Sequence, residues 1–294
     1  MTAKIIDGKV ISSEIREELK SEISLLKNQG IVPGLGVILV GDDPASNSYV
    51  SAKERACESI GIYSDDNRYD ENITENQLLE KITLMNNDPK IDGILVQLPL
   101  PRHIDSSKVL LSIHPNKDVD GFHPVNVGKM MIGEEAFLPC TPHGIIQLLN
   151  RCNIVTNGAH VVVIGRSNIV GKPVANMLMQ KGNGANATVT LCHTGTKDLS
   201  FHTQQADIII AASGYPNTLT KDMVKDDVVI IDVGVNRIPD SSKKSGFRLV
   251  GDVDFEELSQ IASAITPVPG GVGPMTITML LYNTVMSAKK KNRK

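Results

Sequence analysis

Ala159-His160-Val161-Val162-Val163-Ile164-Gly165-Arg166-Ser167-Asn168-Ile169-Val170-Gly171-Lys172-Pro173 is the stretch on which the fold turns. It opens with an apolar run rich in β-branched residues, as a parallel strand covered on both faces does. Gly165 at the strand's end permits a tight turn. The segment beyond it is apolar enough for a helix whose free N–H groups favour an anion such as pyrophosphate. Strand, glycine turn and helix in that order predict a dinucleotide site. The usual three-glycine fingerprint is incomplete, because Ser167 stands at its second position. A phosphate loop of the NTPase type fails twice: five residues separate Gly165 from Gly171 rather than four, and Pro173 replaces the hydroxyl that magnesium needs.

Outward from this stretch the pattern repeats. Apolar runs at 187–191, 207–211 and 228–232, with helical spacers, make at least the mononucleotide-binding half of a doubly wound sheet. Upstream, 36–40 and 92–96 read as buried strands and 62–69 as a weaker one, with helices near 10–28, 44–60 and 74–87, which suggests a second, small sheet. A connecting helix is expected over 142–152, and another from Pro274 to about Lys290, with Pro274 suited to the first helical position. The class is α/β, and 294 residues with 41% hydrophobic content favour two domains over one.

Composition excludes several roles. With 33 acids against 30 bases the net charge is −3, so there is no whole-chain attraction for nucleic acid or an anionic membrane. Cys57, Cys140, Cys152 and Cys192 are too widely spaced for a zinc site and read as reduced, mostly buried thiols; no metal is expected. Lys4 and Asp7 interrupt any apolar signal core, and no run is long enough to span a bilayer, so a cytoplasmic protein is expected. The basic stretch 289–294 reads as a frayed, solvated end.

The end of the second strand in the later half selects the cofactor. NAD enzymes place a carboxylate there for the ribose 2′-hydroxyl, whereas this chain offers Cys192-His193-Thr194-Gly195-Thr196-Lys197. Arg166 with Thr194, and Lys197 nearby, suit a 2′-phosphate, which favours NADP over NAD.

The earlier half carries three further features. Asp43 and Pro44 look like a helix start, after which Tyr49 and Lys53 share one helical face. Isolated pairs of this kind ordinarily have a packed aromatic and a solvated lysine. Short-chain dehydrogenases use Tyr-x-x-x-Lys too, but there the pair follows the nucleotide loop, and here it precedes Gly165 by more than a hundred residues. Gln97 ends a buried strand just before Leu98-Pro99-Leu100-Pro101, the position at which α/β sheets present ligand groups. Asp118-Val119-Asp120-Gly121 reads, taken alone, as a surface Asx turn.

Taken together, Tyr49-x-x-x-Lys53, residues 96–101, Asp118-Val119-Asp120-Gly121, the Gly165–Pro173 loop and Pro267-Val268-Pro269-Gly270-Gly271-Val272-Gly273-Pro274-Met275-Thr276 resemble, in order and over nearly the whole chain, the bifunctional methylenetetrahydrofolate dehydrogenase/methenyltetrahydrofolate cyclohydrolase family. The resemblance implies a folate-binding catalytic domain (1–141 with a returning helix, 274–294), a Rossmann-type NADP-binding domain (142–273) and a cleft between them. It implies a homodimer paired through the nucleotide domains, with tetrahydrofolate derivatives as substrates and no nucleic-acid or membrane partner. Tyr49 would stack on folate, Lys53 and Gln97 would carry the hydrolysis, and Asp120 would hold the pterin. Val96, Leu98 and Pro269, Gly270, Gly271, Val272 and Gly273 would border the substrate. Gly165, Arg166, Ser167 and Thr194 would bind the adenosine end of NADP, with Val235 lining the cofactor. Thr194 stands where many members have serine, which keeps the hydroxyl. Two other readings stay open at this point: an NADP-dependent dehydrogenase of another small metabolite, and a non-catalytic NADP-binding protein, in which the lysine, glutamine or acidic position should have decayed.

Overall fold

A computed structural model describes residues 2–243 and 246–291. In chain order the elements are β1 (Lys4–Ile5), α1 (Gly8–Lys27), β2 (Gly34–Val40), α2 (Pro44–Ile60), β3 (Tyr63–Tyr69), α3 (Glu75–Asn87), β4 (Gly93–Val96), α4 (Ser106–Ser112), α5 (Pro124–Ile132) and α6 (Cys140–Arg151). There follow β5 (His160–Ile164), α7 (Gly171–Met179), β6 (Thr188–Cys192), α8 (Leu199–Thr203), β7 (Ile208–Ala211), β8 (Val229–Asp232), β9 (Asn236–Pro239), β10 (Phe247–Val250), α9 (Phe255–Leu258), β11 (Ala264–Ile265) and α10 (Val272–Lys291). Contacts divide the chain into two compact units, Met1–Ser12 with Thr141–Thr276, and Ser13–Cys140 with Ile277–Lys294.

The second of these units holds a three-stranded parallel sheet, β3-β2-β4. Central β2 is buried along its length, whereas the edge strand β3, Tyr-Ser-Asp-Asp-Asn-Arg-Tyr, is polar, which explains its faint signature and blunts an edge open to pairing. The core lies on the face covered by α3 and α4, where Ile38, Leu78, Ile82, Ile94 and Val109 are fully enclosed. Thr74 and Gln77 form a reciprocal capping box that starts α3.

The other unit is built on a six-stranded parallel sheet in the order β1-β11-β8-β7-β5-β6. The order reverses at β5, which pairs with β6 on one side and β7 on the other; at such a switch point the crevice beyond the strand ends receives a ligand. Strand β5 is walled in by β6 and β7, and its Val161, Val162 and Val163 are wholly buried. An antiparallel pair, β9 and β10, follows β8.

Three expectations change. Residues 1–12 belong with the nucleotide-type sheet, since β1 pairs with β11. Helix α10 begins at Val272, so Pro274 is its third residue, still in the first turn where a missing N–H costs nothing. The basic stretch is not frayed over Lys289, Lys290 and Lys291, which are helical and pair with Glu22, Glu135 (2.8 Å) and Asp92 (3.1 Å). Residues 292–294 lie outside those described.

Candidate active site

Helix α2 starts where the side chain of Asp43 accepts the N–H and hydroxyl of Ser46, both at 2.8 Å. This cap sets the phase of the helix, so that Tyr49 and Lys53 fall one turn apart on one face, with the Lys53 amine 5.7 Å from the Tyr49 ring centroid. The usual exposure of such a pair is inverted. Lys53 is 7% exposed and Tyr49 44%. An aromatic left open beside an enclosed amine offers a stacking surface, not a packing anchor.

The Lys53 amine donates to Oε1 of Gln97 at 2.9 Å. Gln97 stands at the carboxyl end of β4, and its amide donates to the Leu98 carbonyl at 2.7 Å, which fixes the orientation that turns Oε1 towards lysine. Burial lowers the Lys53 pKa, opposed by the charges of Asp120, Cys140 and Cys57. A neutral amine at this place keeps N–H donors for Gln97 and gains a lone pair for a proton.

The acidic segment is brought alongside β4. Ile94 donates to the Lys117 carbonyl at 2.7 Å and bridges to Asp118 in parallel. Asp118 is therefore not on a surface turn. It is 3% exposed and accepts His123 N–H and the Asn126 amide, each at 2.8 Å, and Phe122 N–H at 3.2 Å. Asp120, two residues on, takes no backbone N–H among the described residues; the Cys140 thiol, 3.4 Å from the Val119 carbonyl, is within its reach. Part of Asp120 remains open to solvent, but protein crowds its carboxyl. Desolvation thus pushes its pKa up to about 6; the charge of Lys53 works against the rise and that of Asp118 adds to it.

A residue missed in the sequence completes this arrangement. Asn283 of α10, 3% exposed, donates to the carbonyls of Val119 (2.8 Å) and Leu138 (3.0 Å), on either side of Asp120 in the chain. Val96, by contrast, is turned into the core with Ile94 and Ile104. Leu98 is half-buried.

In the unit with the six-stranded sheet, Gly165 has φ +120° and a Cβ there would sit 2.1 Å from the Ala212 carbonyl oxygen. Only glycine lets the ends of β5 and β7 approach so closely. The Ser167 hydroxyl accepts the N–H groups of Val170 (3.1 Å) and Gly171 (3.3 Å), shaping the loop while keeping its own O–H to donate. Arg166 and Ser167 are exposed on this loop, and Thr194 is exposed beyond β6, the neighbouring strand. Val235, 58% exposed, follows β8 on the other side of the switch point. Along 269–273 close packing requires glycine at Gly271, where a Cβ would meet the Pro267 carbonyl and Thr266 side chain at 2.7 Å, whereas at Gly273 nothing lies within 4 Å. Val272 is buried and Pro269 exposed.

Sequence reasoning also missed Asp232 and Asp252, which are 2% and 0% exposed below the ends of β7 and β8. Among the described residues no group of His, Cys, Asp and Glu side chains is arranged to hold a metal, and no helix is long and apolar enough to cross a membrane.

One unit therefore presents a buried, pKa-lowered lysine with an oriented amide and a carboxyl, and the other a parallel sheet with a glycine turn at its switch point, the equipment of a two-domain enzyme that pairs proton transfer with a dinucleotide. Residues 6–120 match the family model for the tetrahydrofolate dehydrogenase/cyclohydrolase catalytic domain, and residues 139–292 that for the NAD(P)-binding domain of the same family. The chain belongs to the tetrahydrofolate dehydrogenase/cyclohydrolase family. It is 60% identical over 289 residues to the bifunctional protein FolD of Syntrophus aciditrophicus, with 98% of each chain covered. The crystal structure of the bifunctional methylenetetrahydrofolate dehydrogenase/cyclohydrolase FolD from Campylobacter jejuni superposes with a TM-score of 0.93 at 54% identity, covering 98% of this chain and 99% of that one. The Trypanosoma brucei enzyme, crystallised with NADP and an inhibitor, gives a TM-score of 0.94 at 38% identity over 100% of both chains.

Proposed function

We infer that the protein oxidises 5,10-methylenetetrahydrofolate to 5,10-methenyltetrahydrofolate, with NADP as hydride acceptor, and hydrolyses the product to 10-formyltetrahydrofolate. Both family domains are matched, and the observation that carries the hydrolytic half is the hydrogen bond of 2.9 Å from a buried Lys53 amine to Gln97.

In the first step the methylene carbon gives up a hydride, and the nitrogen lone pairs stabilise the amidinium cation that forms. No side chain has to remove a proton from carbon, so catalysis there is a matter of holding the donor carbon against the acceptor ring. NADP supplies the acceptor. Arg166 and Thr194 would bind its 2′-phosphate and Ser167 would donate its O–H to the same end, with Gly165 allowing the close approach and Val235 lining the cofactor. Tyr49 would lie against the pterin, and ionised Asp120 would accept N–H groups from its edge. Leu98 and residues 269–273 would border the substrate, with Val96 contributing its backbone alone.

In the second step water adds to the methenyl carbon. Neutral Lys53 takes the water's proton, and Gln97 holds the amine in position. The resulting carbinolamine collapses as its O–H proton leaves, the bond from carbon to N5 breaks and N5 is protonated, so that one proton is released overall. We take the protein to be a cytoplasmic homodimer paired through the nucleotide unit, where β6 is an open edge of the sheet.

Purified protein mixed with methylenetetrahydrofolate and either NADP or NAD should show reduced nicotinamide and methenyl absorbance rising together and the methenyl signal then falling, with NADP the better acceptor. Reduction of NADP by other small hydroxy or amino acids, with folate inert, would overturn the assignment.

A further inference from the structure

The two buried carboxylates beneath the ends of β7 and β8 are not explained by the chemistry above. One oxygen of Asp252 accepts the N–H groups of Ser213 (2.7 Å) and Gly214 (2.8 Å) and the Ser213 hydroxyl (3.0 Å), while the other accepts the Asn236 amide (2.8 Å). One oxygen of Asp232 accepts the N–H groups of Gly234 (3.0 Å) and Asp252 (2.9 Å), and its second oxygen that of Val253 (3.2 Å). The fit is close enough to dictate neighbouring residues. A Cβ on Gly251 would lie 1.7 Å from an oxygen of Asp232, and one on Gly234 would lie 2.0 Å from an oxygen of Asp252.

What these carboxylates hold points to their use. Val235 is clamped from both sides: its predecessor Gly234 is tied to Asp232, and its successor Asn236 to Asp252. Tyr215, 70% exposed, follows directly on the Ser213–Gly214 turn. Two open apolar side chains thus stand at the strand ends beyond the switch point, each next to residues that are hydrogen-bonded to a buried carboxylate. Arg166 and Thr194 occupy the ends of β5 and β6 on the other side, where the adenosine half of a dinucleotide belongs, so the nicotinamide half falls over β7 and β8. Two neighbouring buried carboxylates are a costly way to brace an ordinary turn, which serine or asparagine could do without burying charge.

We propose that Asp232 and Asp252 are positioning residues for the cofactor, holding Val235 and the Ser213–Gly214 turn rigid as the lip that receives the nicotinamide half of NADP. The idea rests on the assignment of this unit as the NADP site. Burial raises the Asp232 pKa to about 6, with the charge of Asp252 adding to the rise, as expected for two carboxylates kept side by side.

The test uses the full chain, NADPH titration by nicotinamide fluorescence, and cyclohydrolase turnover of methenyltetrahydrofolate without nucleotide as an internal control. Asp252→Asn keeps an oxygen for Ser213 and Gly214 but turns an NH2 towards that of Asn236. It should weaken NADPH binding about tenfold, the worth of one hydrogen bond to a charged group, and raise the KM for NADP more than it lowers kcat. Cyclohydrolase kcat/KM should be unchanged. The double variant Asp252→Asn with Asn236→Asp, which restores the contact with donor and acceptor exchanged, should regain much of the affinity. Asn236→Ala, which removes the link without touching a buried charge, should weaken NADPH binding with cyclohydrolase intact even if Asp252→Asn does not fold. Unchanged NADPH affinity in Asn236→Ala and Asp252→Asn, or a fall of both activities in step, overturns the inference. Failure of the unaltered protein to bind NADPH would instead sink the cofactor assignment itself, and this inference with it.

Discussion

Asp120 and Asp232 show the same upward pKa displacement, each to about 6 and each caused first by burial, yet they belong to regions of opposite character. Asp232 and its neighbour Asp252 are surrounded by donors, most of them backbone N–H groups. Asp120 has a thiol within reach and Lys53 nearby, and among the described residues Lys53 has one hydrogen-bond partner, Gln97. Burial alone does not separate a reactive group from a brace; the count of partners does. A charge surrounded by fixed donors has nothing left for a substrate, whereas one left short of partners keeps its capacity for whatever enters.

The comparison can be broken most directly at Lys53. Lys53→Met should lower cyclohydrolase turnover by at least about 100-fold, the scale of a lost general base, while hydride transfer to NADP persists. Hydrolysis at full rate in that variant would place Lys53 among the braces.

Stability should move the other way. Asp252→Ala strands several part-buried N–H donors and should cost about 3 kcal/mol in urea unfolding, whereas Lys53→Met, which removes a buried amine with one partner among the described residues, should be near neutral. Equal losses in the two variants would erase the distinction. On the nucleotide side, Arg166→Gln should weaken NADP about tenfold while leaving NAD almost untouched, read as the ratio of the two kcat/KM values.

A subtler effect is the response to pH. Asp120 has a folded-state pKa above its ordinary 3.8, so the folded protein holds the extra proton between 3.8 and about 6. Its contribution to stability is thus greatest below that window and is lost as pH rises through it. Asp120→Asn should flatten the corresponding decline in Tm, and should remove the rise in folate KM expected as the carboxyl protonates below about pH 6. A decline as steep as before would mean that Asp232 alone governs it. The smallest effect belongs to Lys290→Ala, which loses an exposed ion pair to Glu135 and should shift stability by less than about 1 kcal/mol.

Legibility followed the range of the interactions. The β5 strand and Gly165 turn could be read because apolar runs and a glycine are local signals, and the start of α2 because Asp43 caps residues only three positions on. Strands β1 and β11 were invisible: two residues carry no period, and each is a strand only because of distant partners, β11 for β1, and β1 with β8 for β11. Tyr49, Lys53, Gln97 and Asp120 were named from their types and the family resemblance, but the meeting of Lys53 with Gln97 across 44 positions is a product of the fold. Asp252, between Gly251 and Val253, and Asn283, within an apolar helix, gave no local sign, because every group they satisfy lies far along the chain.

Asn283 also sets a condition on synthesis. A ribosome will have delivered Tyr49, Lys53, Gln97 and Asp120 more than 160 residues before the amide that steadies the Val119 and Leu138 carbonyls. Nascent chains that already carry all four residues would therefore wait for α10 to emerge before the carbonyls flanking Asp120 gain this partner.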